Sequence, residues 1–183
     1  GMTIKTDNLN QTILNATGYT INNYTMNNVY IHDNYIHDIG SEGIYLGSTQ
    51  GQSEQHAFNN LRISNNRILR TGTEGLQVGQ LGDGCEIYNN VVALSAIDWK
   101  DSFQTYQDNS LQVTFRYGQS SVHHNVFIGA GDSIISFAAL NAVGDVHSSG
   151  DVVSLNDNYL SSSRHLGMYM AQLDQPRSTT TQS

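Results

Sequence analysis

Glu42-Gly43 and Glu74-Gly75 occupy the same slot in two near-copies, "VYIHDNYIHDIGSEGIYLG" (29–47) and "LRISNNRILRTGTEGLQVG" (61–79). If the copies stack as successive layers of strands, the two carboxylates lie roughly 4.8 Å apart. At that separation they could share a proton, bind Ca²⁺, or serve as the two carboxylates of a retaining glycosidase, which need about 5 to 5.5 Å. Solvated turn carboxylates splaying apart are the bland alternative. A second cluster lies in "SAIDWKDSFQTYQDN" (95–109), where Trp99, Phe103 and Tyr106 alternate with Asp98, Lys100, Asp101 and Asp108. Sugar C–H faces stack on aromatic rings, while hydroxyls and leaving oxygens need hydrogen-bonding and proton-transfer partners. Trp99 and Tyr106 are therefore candidate stacking residues. Lys100, Asp101, Glu42 and Glu74 are candidate acids and bases, and Asp98 joins the two glutamates as a candidate Ca²⁺ ligand. The same loop also suits a plain packing role for its aromatics.

The composition narrows the partners. With a formal net charge of -8 and only eight Lys and Arg, scattered along the chain, nothing offers the basic cluster that nucleic acid or an anionic membrane surface requires. A neutral or metal-bridged ligand suits it better. No apolar run reaches membrane-span length, and no signal peptide is visible. Gly1 ahead of Met2 reads as the remnant of a tag. Cys85 is the only cysteine, so no internal disulfide is possible, and it reads as a small buried hydrophobe. The seven histidines show no zinc-site spacing and read as surface residues. Two N-x-[ST] matches, at Asn15 and Asn23, are expected by chance in so Asn-rich a chain.

The elements that must position these residues follow from the repeat. Relaxing it to apolar-x-apolar-x-x-Asn-x-apolar, a turn, then small-apolar-x-apolar, yields three more copies anchored at Asn90, Asn125 and Asn158 besides Asn34 and Asn66. Each copy holds short alternating runs between Gly- and Asn-bearing turns, with the period of two that strands require. The spacing suits a chain that travels along three strands and returns one layer higher. This predicts an all-β parallel β-helix of about five coils over 29–173, an irregular N-terminal coil or cap over 1–28, and a polar tail over 174–183. The expected core files are Ile44/Leu46, Leu76/Val78, Leu111/Val113, Ile134/Ser136 and Met168/Met170 on one sheet. Val29/Ile31, Leu61/Ile63, Cys85/Ile87, Val122 and Val153/Leu155 fill the second, and Ile36, Ile68, Val92, Phe127 and Leu160 the third. The asparagines are expected to form a ladder at a sharp bend.

The pattern I-x-x-N-x-I … G-x-x-G-I-x-L resembles the right-handed parallel β-helix, or pectate-lyase-like, superfamily. That resemblance implies a right-handed, single-stranded β-helix, an extracellular or cell-surface setting, and a polysaccharide held on the outer face of the first sheet. By the same mapping, Tyr45, Gln77, Gln112, Ile135 and Tyr169 floor the groove. The step from anchor Asn to the next first-sheet strand is nine residues in three coils, eight from Asn125 to Ser133, and twenty from Asn90 to Ser110. The 95–109 cluster is thus an insertion beside the groove, and loops carry function more often than scaffolds do.

"RYGQSSVHHN" (116–125) resembles the R-x-G-x-x-x-V-x-x-N part of the pectate lyase signature through Arg116, Gly118, Val122 and Asn125. The arginine that the family carries five residues earlier is Leu111 here. A β-elimination would then need Lys100, Arg116 or a histidine as base. The expected function is a carbohydrate-active module that binds a polysaccharide and cleaves it by lyase or glycosidase chemistry. The alternative is a non-catalytic structural or adhesion segment of a larger cell-surface or tail-fibre protein. Open ends also need covering, by further coils of a longer chain or by another subunit.

Overall fold

The computed structural model describes residues 1–5, 18, 25–47, 49, 56–98, 107–139 and 150–172. Together they form an all-β parallel solenoid of about four turns, with no helix among the described residues. The class is the one expected, and the count is slightly lower than the expected five coils.

The first sheet stacks β1 (Met2–Ile4), β5 (Ile44–Leu46), β9 (Leu76–Leu81), β12 (Leu111–Phe115), β15 (Ile135–Ala139) and β18 (Met168–Gln172) in that order. The second stacks β3 (Tyr30–His32), β7 (Arg62–Ser64), β10 (Cys85–Tyr88), β13 (Gln119–His123) and β16 (Val152–Asn156). The third stacks β4 (Tyr35–Ile39), β8 (Arg67–Thr71), β11 (Val91–Ser95), β14 (Val126–Ala130) and β17 (Tyr159–Ser163). Two strands extend the first sheet sideways: β2 (Thr25–Asn27) pairs with β6 (Ala57–Asn59), and Phe58 of β6 pairs with Leu81. Met2–Ile4 and Thr25–Asn27 of the expected cap are thus ordinary parallel strands.

The bends explain why asparagine recurs. In each rung the residue before the anchor (Asp33, Asn65, Asn89, His124 or Asp157) has φ between 54° and 57°, a left-handed conformation that Asn and Asp tolerate best. The anchor then turns inward. The backbone N–H and side-chain amide of Asn34, Asn66, Asn90 and Asn125 each donate to Oδ1 of the next anchor, at 2.8 to 3.1 Å. The five asparagines therefore stand in single file, as expected.

Inside, Ile31, Ile63, Ile87, Val122 and Leu155 are in register, as are Ile36, Ile68, Val92, Phe127 and Leu160. Cys85 is buried among them. The repeated Gly43 and Gly75 sit where the third sheet closes on the first. A Cβ on Gly43 would meet Ile68 Cγ2 at 2.5 Å; one on Gly75 would collide with a Val92 methyl and meet Ser95 Oγ at 2.7 Å.

One register expectation fails. In the fourth rung Ile135 and Phe137, not Ile134 and Ser136, line up with Leu111/Val113 and Met168/Met170. The observed choice buries a phenylalanine instead of a serine, a difference on the order of 2 kcal/mol. Ile134 takes the corner position held by Gly43, Gly75 and Gly167 in the other regular coils, so the step from Asn125 is nine residues, as it is there.

Candidate functional site

With that register, the outward file of the first sheet is Tyr45, Gln77, Gln112, Ser136 and Tyr169. Ser136 replaces the expected Ile135, which faces the core. The file has a covered half and an open half. Tyr45 is buried, with Lys5 Nζ 3.5 Å from its ring centroid, a cation–π contact. Gln77 is 3% exposed. The Thr49 hydroxyl bridges two rungs, accepting from Gln77 Nε2 at 2.5 Å and donating to Gln112 Oε1 at 3.1 Å. Beyond it, Gln112 and Ser136 are half-buried and Tyr169 is 51% exposed. Thr49 lies outside the repeat, and no spacing signal pointed to it.

Just before the first-sheet strands the chain forms two stacked columns. Because Ser110 and Ile134 take the corner positions of Gly43 and Gly75, the slot of Glu42 and Glu74 continues as Asn109, Ser133 and Leu166. The adjoining column is Ser41, Thr73, Asp108, Asp132 and His165, linked by N–H bonds from Thr73 to Ser41 O, Asp132 to Asp108 O and His165 to Asp132 O. Asp132 accepts from Ser133 Oγ at 2.9 Å and lies 3.2 Å from His165 Nδ1. Two carboxylates and an imidazole thus border the open half of the file. Asp132 thus stands one residue before the slot of the two glutamates.

Glu42 and Glu74 do occupy adjacent rungs, with Gly43 N–H donating to Glu74 O at 3.0 Å. Their surroundings differ, however. Glu74 is 0% exposed while Glu42 is half-buried, so they are not an equivalent pair facing one ligand. Asp98 is exposed, and its carboxylate lies over Gly72, close to where a Cβ would be. Among the described residues no three His, Cys, Asp or Glu side chains gather to hold a metal ion, so Glu42, Glu74 and Asp98 form no such trio. Trp99, Lys100, Asp101, Phe103 and Tyr106 lie outside the described residues.

Arg116 follows β12, where its N–H donates to Leu81 O at 2.8 Å, and it is 1% exposed, the largest fully buried side chain of the described residues. Nearby, Gln80 N–H donates to Thr114 Oγ1 at 2.8 Å, and both residues are buried. Polar groups withdrawn from water in this way require hydrogen-bonded surroundings. Arg116 is accordingly a buried member of this end of the sheet.

Of the histidines, His32 and His37 lie 2.7 Å from the neighbouring Asp33 and Asp38, and His123 stacks on Tyr88 with ring centroids 5.3 Å apart. All three are on the second and third sheets, as surface residues, whereas His56, also expected at the surface, is buried. Asp38 also accepts from Arg70 of the next rung at 2.6 Å, and this guanidinium holds its carboxyl well below the usual range. Burial pushes the Cys85 thiol upward, and its Sγ donates to Phe58 O at 3.2 Å. No described helix is long and apolar enough to cross a membrane.

The class of protein shown by this geometry is the parallel β-solenoid. No family model, curated protein or solved structure matches the chain significantly.

Proposed function

We propose that the chain is a carbohydrate-binding β-solenoid, akin to the pectate-lyase-like superfamily, that lays a polysaccharide along the outer face of its first sheet. The observation that supports this reading is the outward file of amides, hydroxyls and aromatic rings, one rung apart, ending in the exposed Tyr169. Amides and hydroxyls satisfy sugar hydroxyls, and the ring offers an apolar face. Asp108, Asp132 and His165, at the margin of the open half, supply the carboxylates and imidazole that lyase or glycosidase chemistry would need. An extracellular or cell-surface setting goes with this reading.

The test is electrophoretic retardation in gels containing neutral or uronic-acid polysaccharides, followed by incubation with and without Ca²⁺. Ultraviolet-absorbing unsaturated products indicate elimination; new reducing ends without that absorbance indicate hydrolysis. Retardation that is lost in Tyr169→Ala/Gln112→Ala supports the assignment, and no retardation by any polysaccharide overturns it. A second reading is a non-catalytic structural or adhesion solenoid. The complete burial of Glu74 and Arg116 favours it, since neither meets a ligand without rearrangement. Retardation without products indicates binding alone, and neither retardation nor products selects this second reading.

A further inference from the structure

The bridge made by Thr49 has the hydrogen-bonding pattern of a bound alcohol. Its oxygen accepts from an amide N–H of one rung and its O–H donates to the amide oxygen of the next. Gln77 has a second polar atom there. Among the described residues its Oε1 is buried without a hydrogen-bond partner, and leaving such an acceptor unmet is costly.

A glutamine amide presents a donor and an acceptor along one edge. Two hydroxyls on adjacent carbons match that edge, one accepting from Nε2 and the other donating to Oε1. A single hydroxyl such as that of Thr49 satisfies only the first.

Resting on the carbohydrate-binding reading above, we infer that Gln77 and Gln112 form a subsite for the vicinal diol of a neutral sugar residue, which Thr49 occupies by imitating one of the two hydroxyls. The sugar's first hydroxyl takes over both bonds of Thr49, and its second donates to the unmet Gln77 Oε1. The ligand gains a bond that the internal mimic cannot make. A neutral sugar suits the site because the groups that contact Thr49 are uncharged amides. The chain's net charge of -8 also disfavours a polyanion.

Calorimetric titration of wild type, Thr49→Gly, Gln112→Leu and Gln77→Leu with cellohexaose, xylohexaose, mannohexaose and hexagalacturonate tests the assignment. Circular dichroism and thermal unfolding establish that each variant is folded. Removing the internal competitor in Thr49→Gly is expected to tighten binding of at least one neutral hexasaccharide about tenfold. Gln112→Leu is expected to weaken it about tenfold or more. Should Gln77→Leu fail to fold, Gln112→Leu carries the same test. If wild type binds a neutral hexasaccharide and neither Thr49→Gly nor Gln112→Leu changes its affinity, the subsite is refuted while carbohydrate binding stands. A gain for hexagalacturonate alone refutes the neutral assignment. Binding of none of the four sugars by either wild type or Thr49→Gly removes both the subsite and the carbohydrate reading beneath it.

Discussion

Replacing Asn90 by leucine, which has nearly the same size, separates the ladder's hydrogen bonds from its packing. Asn90 Oδ1 accepts from the backbone N–H and the side-chain amide of Asn66, each at 3.0 Å. Its own amide donates to Ile63 O at 2.8 Å and to Tyr88 O and Asn125 Oδ1 at 3.0 Å. The substitution leaves two buried donors of Asn66 without an acceptor, and three oxygens each lose one donor. Each orphaned donor costs about 1–3 kcal/mol, so the expected loss is about 2–6 kcal/mol, a large part of the stability of an ordinary domain. Asn34 offers the control. It opens the file and is only half-buried, and its amide donates to His32 O and Asn66 Oδ1, the latter still receiving the Asn34 N–H. Asn34→Leu should cost about 1 kcal/mol. Urea unfolding followed by circular dichroism measures both, with an unchanged m-value showing that the extent of unfolding is the same. Equal losses at the two positions would refute the ladder as the source of stability.

The glycines of the repeat make a second contrast. Gly75→Ala forces a methyl into Val92 and should destabilise by about 1–3 kcal/mol; Gly40→Ala meets nothing within 4 Å and should stay within about 0.5 kcal/mol in the same urea assay. Because burial raises the Cys85 thiol, its contribution is fully present below the unfolded thiol's pKa and is lost as pH rises through the folded value. Stability should thus decline from about pH 9 upward in wild type and not in Cys85→Ala, and a thiol reagent should label Cys85 only as fast as the protein opens. Asp38 runs the opposite way: its carboxyl is lowered chiefly by the Arg70 hydrogen bonds, so the ion pair contributes above the ordinary carboxylate range and fades as the solution is acidified. The stability difference between wild type and Arg70→Gln should shrink below about pH 4, and a difference independent of pH would contradict this.

Much of the scaffold was legible because like residues must stack on like. The anchors and two of the three core files repeat at positions that the strand period alone assigns. The fourth rung misled because "SIISF" offers apolar residues in both phases, and only the bulk of Phe137 decides between them. The sideways pair β2 and β6 was missed although its signal was present: Asn27-Asn28 and Asn59-Asn60 repeat at the same offset as Glu42 and Glu74. In the structure Asn60 Nδ2 donates to Asn28 Oδ1 at 2.6 Å. The site was less legible. Tyr45, Gln77, Gln112 and Tyr169 follow from alternation, but the burial of Glu74 and Arg116 depends on what covers them, which alternation does not encode. Thr49 and the 95–109 insertion have no counterpart in other coils, so no neighbouring copy specifies their place.

The unequal sheets also govern how whole molecules can meet. Among the described residues the first sheet carries six strands in file and the other two carry five, with β1 at one extremity of that file and β18 at the other. A second molecule approaching tip to tail, with its β3 and β4 seated on β16 and β17, would bring its β1 to the level that β18 already fills. The extra strand is a step in the profile of the rod. Among the described strands, it denies two copies of this chain a flush seam in that register.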